Sequence, residues 1–169
     1  LHGGLNAWKA VEGPMESGSV KPPVKGSFNA QFNKRMVVSA DQVLDIVMTG
    51  KSQILDARSS ARFLGQAPEP RPGLEGGHIP GSLSLPFSAL VKEGDPTTFK
   101  SLSEVRDAFI DAGIIMGSRV VFTCGSGVTA AVLCFGLHLI GKDIESLPIY
   151  DGSWSEWGSR PDLPKVNPA

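Results

Sequence analysis

The sequence predicts an α/β fold in which a mostly parallel central sheet carries helices on both faces. Three short β-rich runs, at residues 52–57, 119–123 and 146–150, are separated by stretches with helical periodicity or turn signals. Short strands that alternate with helices pair in parallel and are covered on both faces. Such open sheets bind ligands at the carboxyl ends of their strands, so we expect a functional site in the loops after Ala57 and Thr123.

Caps and hydrophobic spacing place the other elements. Val37-Val38 forms a short strand, and Ser39 lies three residues before Gln42, a capping-box pattern that begins a helix. Gly50 ends that helix. The remaining predictions are a strand at 83–86, a helix that begins at Ser101 or Ser103 and runs to Ala112, an apolar helix at 128–140 and a short helix at 153–157.

Composition limits the classes of function. A chain of 169 residues with 41% hydrophobic residues has enough apolar side chains for one globular core. The net charge of −1 gives no basic field to attract nucleic acid or an anionic membrane. The longest apolar stretch, 130–140, is too short to span a bilayer. We therefore expect neither nucleic acid nor a membrane as a partner.

The cysteines indicate a redox environment. Cys124 and Cys134 lie on one strand-to-helix unit, an arrangement that disfavours a disulfide between them. We expect a reducing compartment, either the cytoplasm or the mitochondrion. The sequence has no Cys-x-x-Cys pair and no His/Cys cluster, so we expect no metal.

Two segments have loop composition. Residues 14–34 are rich in Pro, Gly, Ser and Lys, which is typical of a linker, and order is expected to begin near Met36. Residues 65–77 contain three further prolines and exceed the usual length of a connection. Long ordered loops are often functional, so residues 65–77 are a candidate part of the site.

The loop after Thr123 reads CGSGVT and stands between a strand and an apolar helix. Gly125 and Gly127 allow a sharp turn that brings several backbone N–H groups to face one point, next to the positive end of the helix dipole. Such a cradle favours the thiolate form of Cys124, which is the nucleophilic form. The alternative is a buried cysteine at a tight turn.

This loop resembles the active loop of the rhodanese superfamily, and within it that of the 3-mercaptopyruvate sulfurtransferases. Three further segments resemble the superfamily in the right order: LDAR at 55–58, GHIPGS at 77–82 and YDGSW at 150–154. The similarity covers about residues 36–164. It implies a rhodanese-like fold and a sulfurtransferase activity without a cofactor.

The first residues, LHGGLNAW, are similar to the closing segment YDGSWSEW at 150–157. Many of these sulfurtransferases have a rhodanese-like domain before the catalytic one. The resemblance therefore implies the end of a preceding domain at 1–18, a linker at 19–35 and a catalytic domain at 36–169.

The resemblance also implies a mechanism with two displacement steps. The thiolate of Cys124 takes sulfur from a small donor, and a thiol such as thioredoxin, or cyanide, then accepts it. Ser126 relays a proton to the departing enolate, with help from an acid of the preceding domain. Arg62 and Arg71 match the arginines that bind the donor. The implied loop contacts to the substrate are Gly125, Gly127, Val128 and Thr129.

The loop also bears on the choice of donor. Thiosulfate-preferring relatives place basic residues directly after the cysteine, whereas Gly125 and Ser126 are neutral. Mercaptopyruvate carries one carboxylate and one keto oxygen, which suit the parallel N–H donors of arginine. This favours mercaptopyruvate, with thiosulfate as the alternative donor. A carrier module that passes sulfur to a partner protein is a second alternative.

The other notable residues give no further indication of a catalytic role. A Cys-x5-Arg phosphatase needs an arginine six positions after Cys124, where the chain has Ala130. Asp56 is expected to pair with Arg58 or with the backbone rather than to act in catalysis. His78 is expected to make a structural hydrogen bond. The residues expected to serve packing are Cys134, His138, Trp154 and Trp157.

Overall fold

The computed structural model describes residues 2–20 and 22–169. Leu1, which falls in the predicted domain remnant, and Lys21, which falls in the predicted linker, lie outside the described residues. The strands are Val37–Val38 (β1), Gln53–Asp56 (β2), Leu83–Ser84 (β3), Val91–Lys92 (β4), Asp95–Phe99 (β5), Val120–Thr123 (β6) and Ile149–Tyr150 (β7). The helices are Gly4–Ala10 (α1), Ala40–Thr49 (α2), Ser60–Phe63 (α3), Leu102–Asp111 (α4), Ala130–Leu139 (α5) and Ser153–Trp157 (α6).

Five strands form one sheet in the order β1-β7-β6-β2-β3, and each neighbouring pair runs parallel. Strands β4 and β5 form a separate antiparallel hairpin. Asp56 pairs with Thr123 at the carboxyl ends of β2 and β6, and the N–H of Ala57 donates to the carbonyl of Thr123 at 2.9 Å. The two loops predicted to carry function therefore leave the sheet side by side.

Helices cover both faces of the sheet, each over its own apolar core. On one face α4 and α5 pack against β2 and β6, with Phe109 and Leu133 fully buried. On the other face α2 and α6 pack against the same strands, with Val43 and Trp157 fully buried. The predicted α/β class with a mostly parallel, doubly covered sheet is confirmed.

Side-chain caps fix where two helices begin. The Ser39 hydroxyl accepts the N–H of Gln42 at 3.3 Å, and the Gln42 side chain accepts the N–H of Ser39 at 2.9 Å. Ser101, rather than Ser103, caps α4 through the same reciprocal pair with Glu104. Because each box satisfies two amides that a helix start leaves unpaired, the sequence pattern predicted both starts.

Several elements differ from their predictions: the strand expected at 83–86 is only Leu83–Ser84, and helix α3 was not predicted. The helix expected at 128–140 begins only at Ala130, because Gly127 has a φ of +81° and holds the preceding residues in the loop. The strand expected at 146–150 shrinks to β7, since Ile144–Ser146 forms a 3-10 turn capped by the Asp143 side chain. The β4–β5 hairpin was not predicted, and Pro96 within it obscures the strand pattern.

The first described residues dock on that hairpin. The N–H of Gly3 donates to the carbonyl of Thr97 at 3.1 Å, and the Thr97 hydroxyl donates back to the carbonyl of Gly3 at 3.1 Å. Helix α1 follows directly. No helix in the described part of the chain combines the length and the hydropathy needed to cross a bilayer.

Candidate active site

Cys124 follows β6 at the carboxyl edge of the sheet, and only 1% of its surface is exposed. It lines a cavity of about 230 Å³ that the loop after β6 and the loop after α3 enclose. Seven of the eight residues predicted for the site line this cavity: Cys124, Ser126, Arg62, Arg71, Gly125, Val128 and Thr129. The structure thus brings together residues more than sixty positions apart in the chain.

Gly127 is the predicted site residue that lies outside the cavity lining. Its N–H donates to the Ser153 hydroxyl at 3.0 Å, and a Cβ at this position would lie 2.8 Å from a carboxylate oxygen of Asp151. The positive φ of Gly127 and this close approach require glycine. Its place in the structure is that of a turn residue, with its amide already paired.

Helix α6 holds the loop by its carbonyl groups. The N–H groups of Trp154 and Ser155 donate to the carbonyls of Cys124 and Gly125, both at 2.9 Å. In a planar trans peptide the next N–H points opposite to the carbonyl, so the amides of Gly125 and Ser126 point away from α6. Neither amide has a hydrogen-bond acceptor within residues 2–20 and 22–169. They are available to stabilise negative charge on sulfur.

The Ser153 hydroxyl ties both ends of this loop to β7. It accepts the N–H of Cys124 at 3.2 Å and that of Gly127 at 3.0 Å, and it donates to the carbonyl of Tyr150 at 2.8 Å. Ser153 is fully buried and has a φ of +50°, a value that non-glycine residues seldom adopt. Strain of this kind persists where surrounding contacts enforce it.

Replacement of Ser153 by alanine is expected to weaken both the fold and the site. Two buried amides would lose their acceptor, at a cost of about 1–3 kcal/mol each at most. Urea unfolding should show the lost stability, and the rate of sulfur uptake should fall with it. Ser159→Ala is the matched control, because the exposed Ser159 hydroxyl makes a single bond to the Glu156 carbonyl. Equal effects of the two substitutions would contradict this role for Ser153.

A buried ion-pair network centred on Arg58 lies behind Arg62 and connects to it through Glu69. Asp56 binds Arg58 by two oxygens, and Arg58 also donates to Glu69 at 2.8 Å and to the carbonyl of Gly77 at 2.7 Å. The Arg58 guanidinium stacks 4.5 Å from the ring centre of Trp154. The predicted pairing of Asp56 with Arg58 is confirmed, and Arg58 joins the loop after α3 to helix α6.

Glu69 binds one edge of the Arg62 guanidinium. Its two carboxylate oxygens accept from Nε at 3.2 Å and from Nη2 at 2.5 Å. The adjacent edge, formed by Nη1 and the second N–H of Nη2, has no acceptor among the described residues, and Nη2 lies 3.0 Å from where a Cβ of Gly125 would stand. That edge presents two parallel N–H donors, the geometry that a carboxylate binds.

Arg71 is linked to the same loop through Ser155. Its guanidinium donates to the Ser155 hydroxyl, which in turn donates to the carbonyl of Gly125 at 2.5 Å. Arg71 is itself exposed, whereas the Arg62 side chain is only 25% exposed. Arg62 thus lies beside Gly125, and Arg71 is linked to Gly125 through Ser155.

The remaining loop residues shape the mouth of the cavity. Ser126 and Val128 are exposed, and Thr129 is half-buried directly before α5. The Ser126 hydroxyl has no hydrogen-bond partner in the part of the chain that the structure describes. A general acid at Ser126 therefore requires a group from elsewhere.

Most other side chains singled out in the sequence are structural. Nδ1 of His78 lies 2.8 Å from the carbonyl of Phe63, on whose ring it stacks. The indole N–H groups of the buried Trp154 and Trp157 donate to backbone carbonyls. His138, expected to be a satisfied residue of the core or its boundary, is exposed, and its Nδ1 lies 2.9 Å from the carbonyl of Lys142. In the described ranges no three His, Cys, Asp or Glu side chains are grouped to hold a metal ion.

Cys134 is a free, buried thiol on the inner face of α5. Burial raises the pKa of this thiol, and its Sγ lies 3.4 Å from the carbonyl of Leu147. A raised pKa keeps the group protonated at pH 8, so iodoacetamide should leave Cys134 unmodified until urea unfolds the chain. Peptide mass spectrometry checks this, and rapid labelling of folded Cys134 would contradict its core position.

Sequence reasoning missed three residues of the site. Glu69 stands between Pro68 and Pro70 in the irregular loop, and Ser153 and Ser155 belong to the closing segment that was interpreted only as strand, turn and helix. The one sequence signal for Glu69 was its position two residues before Arg71, which was already a candidate. The serine contacts span about thirty positions of sequence, so no local pattern indicates them.

The chain is similar in sequence to a known protein family and to named enzymes. A family model for the rhodanese-like domain matches residues 39–160. The chain is 43% identical to the 3-mercaptopyruvate sulfurtransferase of Escherichia coli K12, over 97% of this chain and 56% of that protein. It is 40% identical to the mitochondrial thiosulfate/3-mercaptopyruvate sulfurtransferase 1 of Arabidopsis thaliana, over 94% and 40% respectively.

A solved structure supports the same family relationship. The crystal structure of SseA from Escherichia coli, described as a 3-mercaptopyruvate sulfotransferase with the rhodanese fold, superposes with a TM-score of 0.73 and 38% identity, covering 90% of this chain and 55% of that one. The chain thus spans about half the length of the curated relatives it matches. On the family model, the relatives and the fold together, the chain belongs to the rhodanese-like family.

Proposed function

We propose that this domain is the catalytic part of a sulfurtransferase that moves sulfur from 3-mercaptopyruvate through a persulfide on Cys124. The observation that carries the proposal is the shared cavity, which joins a buried cysteine, two unpaired loop amides and two arginines. The names of the similar proteins support the donor.

In the first step the Cys124 thiolate attacks the sulfur of mercaptopyruvate. A sulfur–sulfur bond forms and the donor's carbon–sulfur bond breaks, with its electron pair leaving on the pyruvate enolate. The enolate takes up a proton to give pyruvate, and Ser126 at the cavity mouth is the proposed relay. The amides of Gly125 and Ser126 stabilise the charge on sulfur throughout.

In the second step an acceptor removes the outer sulfur. A thiolate or cyanide attacks that atom, the sulfur–sulfur bond breaks, and its electron pair returns to Cys124 as the thiolate. Thioredoxin is the proposed protein acceptor. Because the loop amides face the same sulfur in both steps, one arrangement serves the whole cycle.

The shape of the cavity favours a small keto acid. Its volume of about 230 Å³ is below the range of pockets for drug-sized ligands, and a three-carbon acid fits that scale. The free edge of Arg62 offers paired donors for the carboxylate, and Arg71, linked to Gly125 through Ser155, is the proposed donor to the keto oxygen. The neutral Gly125 and Ser126 place no additional cation beside Cys124.

Two other functions have a specific observation behind them. Thiosulfate is the alternative donor, because two arginines line the cavity and the Arabidopsis relative is named for both donors. A sulfur carrier is the other alternative, because Val128 at the cavity mouth is 73% exposed and could contact a protein acceptor.

The domain assignment also stays a proposal, with the end of a preceding rhodanese-like domain at 1–18, a linker at 19–35 and the catalytic domain at 36–169. The two segments with similar sequences, at 1–8 and 150–157, each end in a tryptophan that makes the same kind of contact. The indole N–H of Trp8 donates to the carbonyl of Pro14, and that of Trp157 donates to the carbonyl of Pro164. A complete preceding domain would supply the partner that Ser126 lacks.

Free cysteines support a reducing compartment. Both Cys124 and Cys134 are unpaired, and Cys124 must stay reduced to act as a nucleophile. We therefore place the protein in the cytoplasm or the mitochondrion. The weak net charge of −1 supports neither nucleic acid nor a membrane surface as a partner.

Steady-state turnover tests the proposal. Pyruvate release from mercaptopyruvate and sulfite release from thiosulfate would be measured, with cyanide or reduced thioredoxin as acceptor. The proposal expects a kcat/KM for mercaptopyruvate at least ten times that for thiosulfate. A preference for thiosulfate would establish the alternative donor. Sulfur transfer to another protein acceptor, with turnover on neither cyanide nor thioredoxin, would establish the carrier.

A further inference from the structure

We propose that Glu69 is a specificity-determining residue whose buried negative charge makes the cavity prefer a singly charged donor over a doubly charged one. The inference rests on the proposed function, since it concerns the same cavity and the same choice of donor. It assigns that choice to a residue that does not belong to the loop around Cys124.

Glu69 is held where its charge acts on the cavity. Its side chain is 1% exposed, and it lines the cavity together with Cys124. One oxygen accepts from Arg58 at 2.8 Å, and both oxygens accept from Arg62 at 3.2 and 2.5 Å. These charge-assisted bonds leave the Glu69 side chain little freedom to turn away from the cavity.

The charges around the cavity nearly cancel. Among the described residues that line it, Arg62, Arg71 and Glu69 leave one net positive charge, which the thiolate of Cys124 offsets. Arg58 lies behind them and is balanced by Asp56, with which it forms a bidentate pair. The single carboxylate of mercaptopyruvate therefore depends on its paired bonds to Arg62 and not on a net positive cavity. A dianion such as thiosulfate would need a further positive charge.

Removal of the Glu69 charge should change this balance in a predictable direction. Electrostatic energy is proportional to the product of the charges, so a dianion gains twice as much as a monoanion when a buried negative charge is deleted. A charge buried beside the cavity is weakly screened by salt. We expect Glu69→Gln to raise the ratio of thiosulfate to mercaptopyruvate activity, in kcat/KM, by about tenfold or more.

The kinetic experiment compares that ratio in the wild-type protein, Glu69→Gln and Glu75→Gln. Glutamine keeps the size and one acceptor oxygen of Glu69 while removing its charge. Glu75 is the matched control on the same loop, since its side chain is 68% exposed and pairs with Lys165 at 3.6 Å. A tenfold rise in Glu69→Gln alone supports the inference. An unchanged ratio, or the same rise in both variants, overturns it.

Binding of unreactive anions separates this inference from the proposed function. Calorimetry would measure the affinity of the wild-type protein and Glu69→Gln for pyruvate, a monoanion, and for sulfate, a dianion. Wild-type protein should bind pyruvate more tightly than sulfate, and Glu69→Gln should gain affinity for sulfate. Tighter sulfate binding by the wild-type protein would overturn the inference even if no donor turned over.

A charge-conserving variant covers the case in which Glu69→Gln does not fold. Glu69→Asp keeps the negative charge but shortens the side chain, so its donor ratio should stay within about threefold of the wild-type ratio while its KM rises. A shift of Glu69→Asp toward thiosulfate as large as that expected for glutamine would show that position, and not charge, sets the preference. That result would overturn the inference.

Discussion

Replacement of Cys124 by serine is expected to abolish sulfur uptake, with a fall in pyruvate release of more than about a thousandfold. Serine keeps the small polar side chain in the buried position after β6, so the loop and its bonds to α6 should survive. It removes the thiolate, however, and a neutral hydroxyl with no adjacent base is a poor nucleophile. Pyruvate release under saturating mercaptopyruvate measures the effect.

The second cysteine provides the control for this result. Cys134→Ser alters a core residue on α5 outside the cavity lining, so it should cost stability but retain sulfur uptake. Activity in Cys124→Ser above about one hundredth of the wild-type value would contradict the assignment of the nucleophile. Loss of sulfur uptake in a folded Cys134→Ser protein would also contradict the assignment of Cys124 as the nucleophile.

Replacement of Arg62 by lysine is expected to lower kcat/KM for mercaptopyruvate by about a hundredfold, mainly through KM. Lysine keeps the positive charge beside Glu69 but has no planar edge with two parallel donors. Loss of one or two charge-assisted hydrogen bonds, at about 1.5–3 kcal/mol each, accounts for a change of this size. Initial rates over a range of mercaptopyruvate concentrations separate kcat from KM.

Arg106→Lys is the matched control for this substitution. Arg106 is exposed on α4 and makes one long bond to the carbonyl of Ile140. Its replacement should leave both constants within twofold of wild type. A fall in Arg62→Lys no larger than in Arg106→Lys would show that Arg62 does not hold the carboxylate.

Local patterns predicted much of the fold. The Ser39 and Ser101 boxes fixed helix starts because their bonds lie within four residues. The β-rich run at 119–123 became β6, since four consecutive buried residues have no alternative to the centre of the sheet. The 3-10 turn before β7 and the β4–β5 hairpin were missed because short strands depend on their partners more than on their own sequence.

The site was predicted less completely, and the reason is physical. Cys124 and its loop carry a local signature of glycines between a strand and a helix. Glu69 and Ser153 carry none, because they act through contacts with Arg62 and with the amides of Cys124 and Gly127 that only the folded chain creates. A buried carboxylate and a buried hydroxyl are indistinguishable in sequence from exposed ones.

The most direct test of the account is the intact mass of the wild-type protein after brief exposure to 3-mercaptopyruvate or thiosulfate, with no acceptor present. The account predicts a gain of one sulfur atom on Cys124, at least tenfold faster from mercaptopyruvate, and no gain in Cys124→Ser. Faster gain from thiosulfate would contradict the assigned donor. A gain located on Cys134, or no gain from either donor, would contradict the persulfide site that the cavity, the loop amides and the two arginines define.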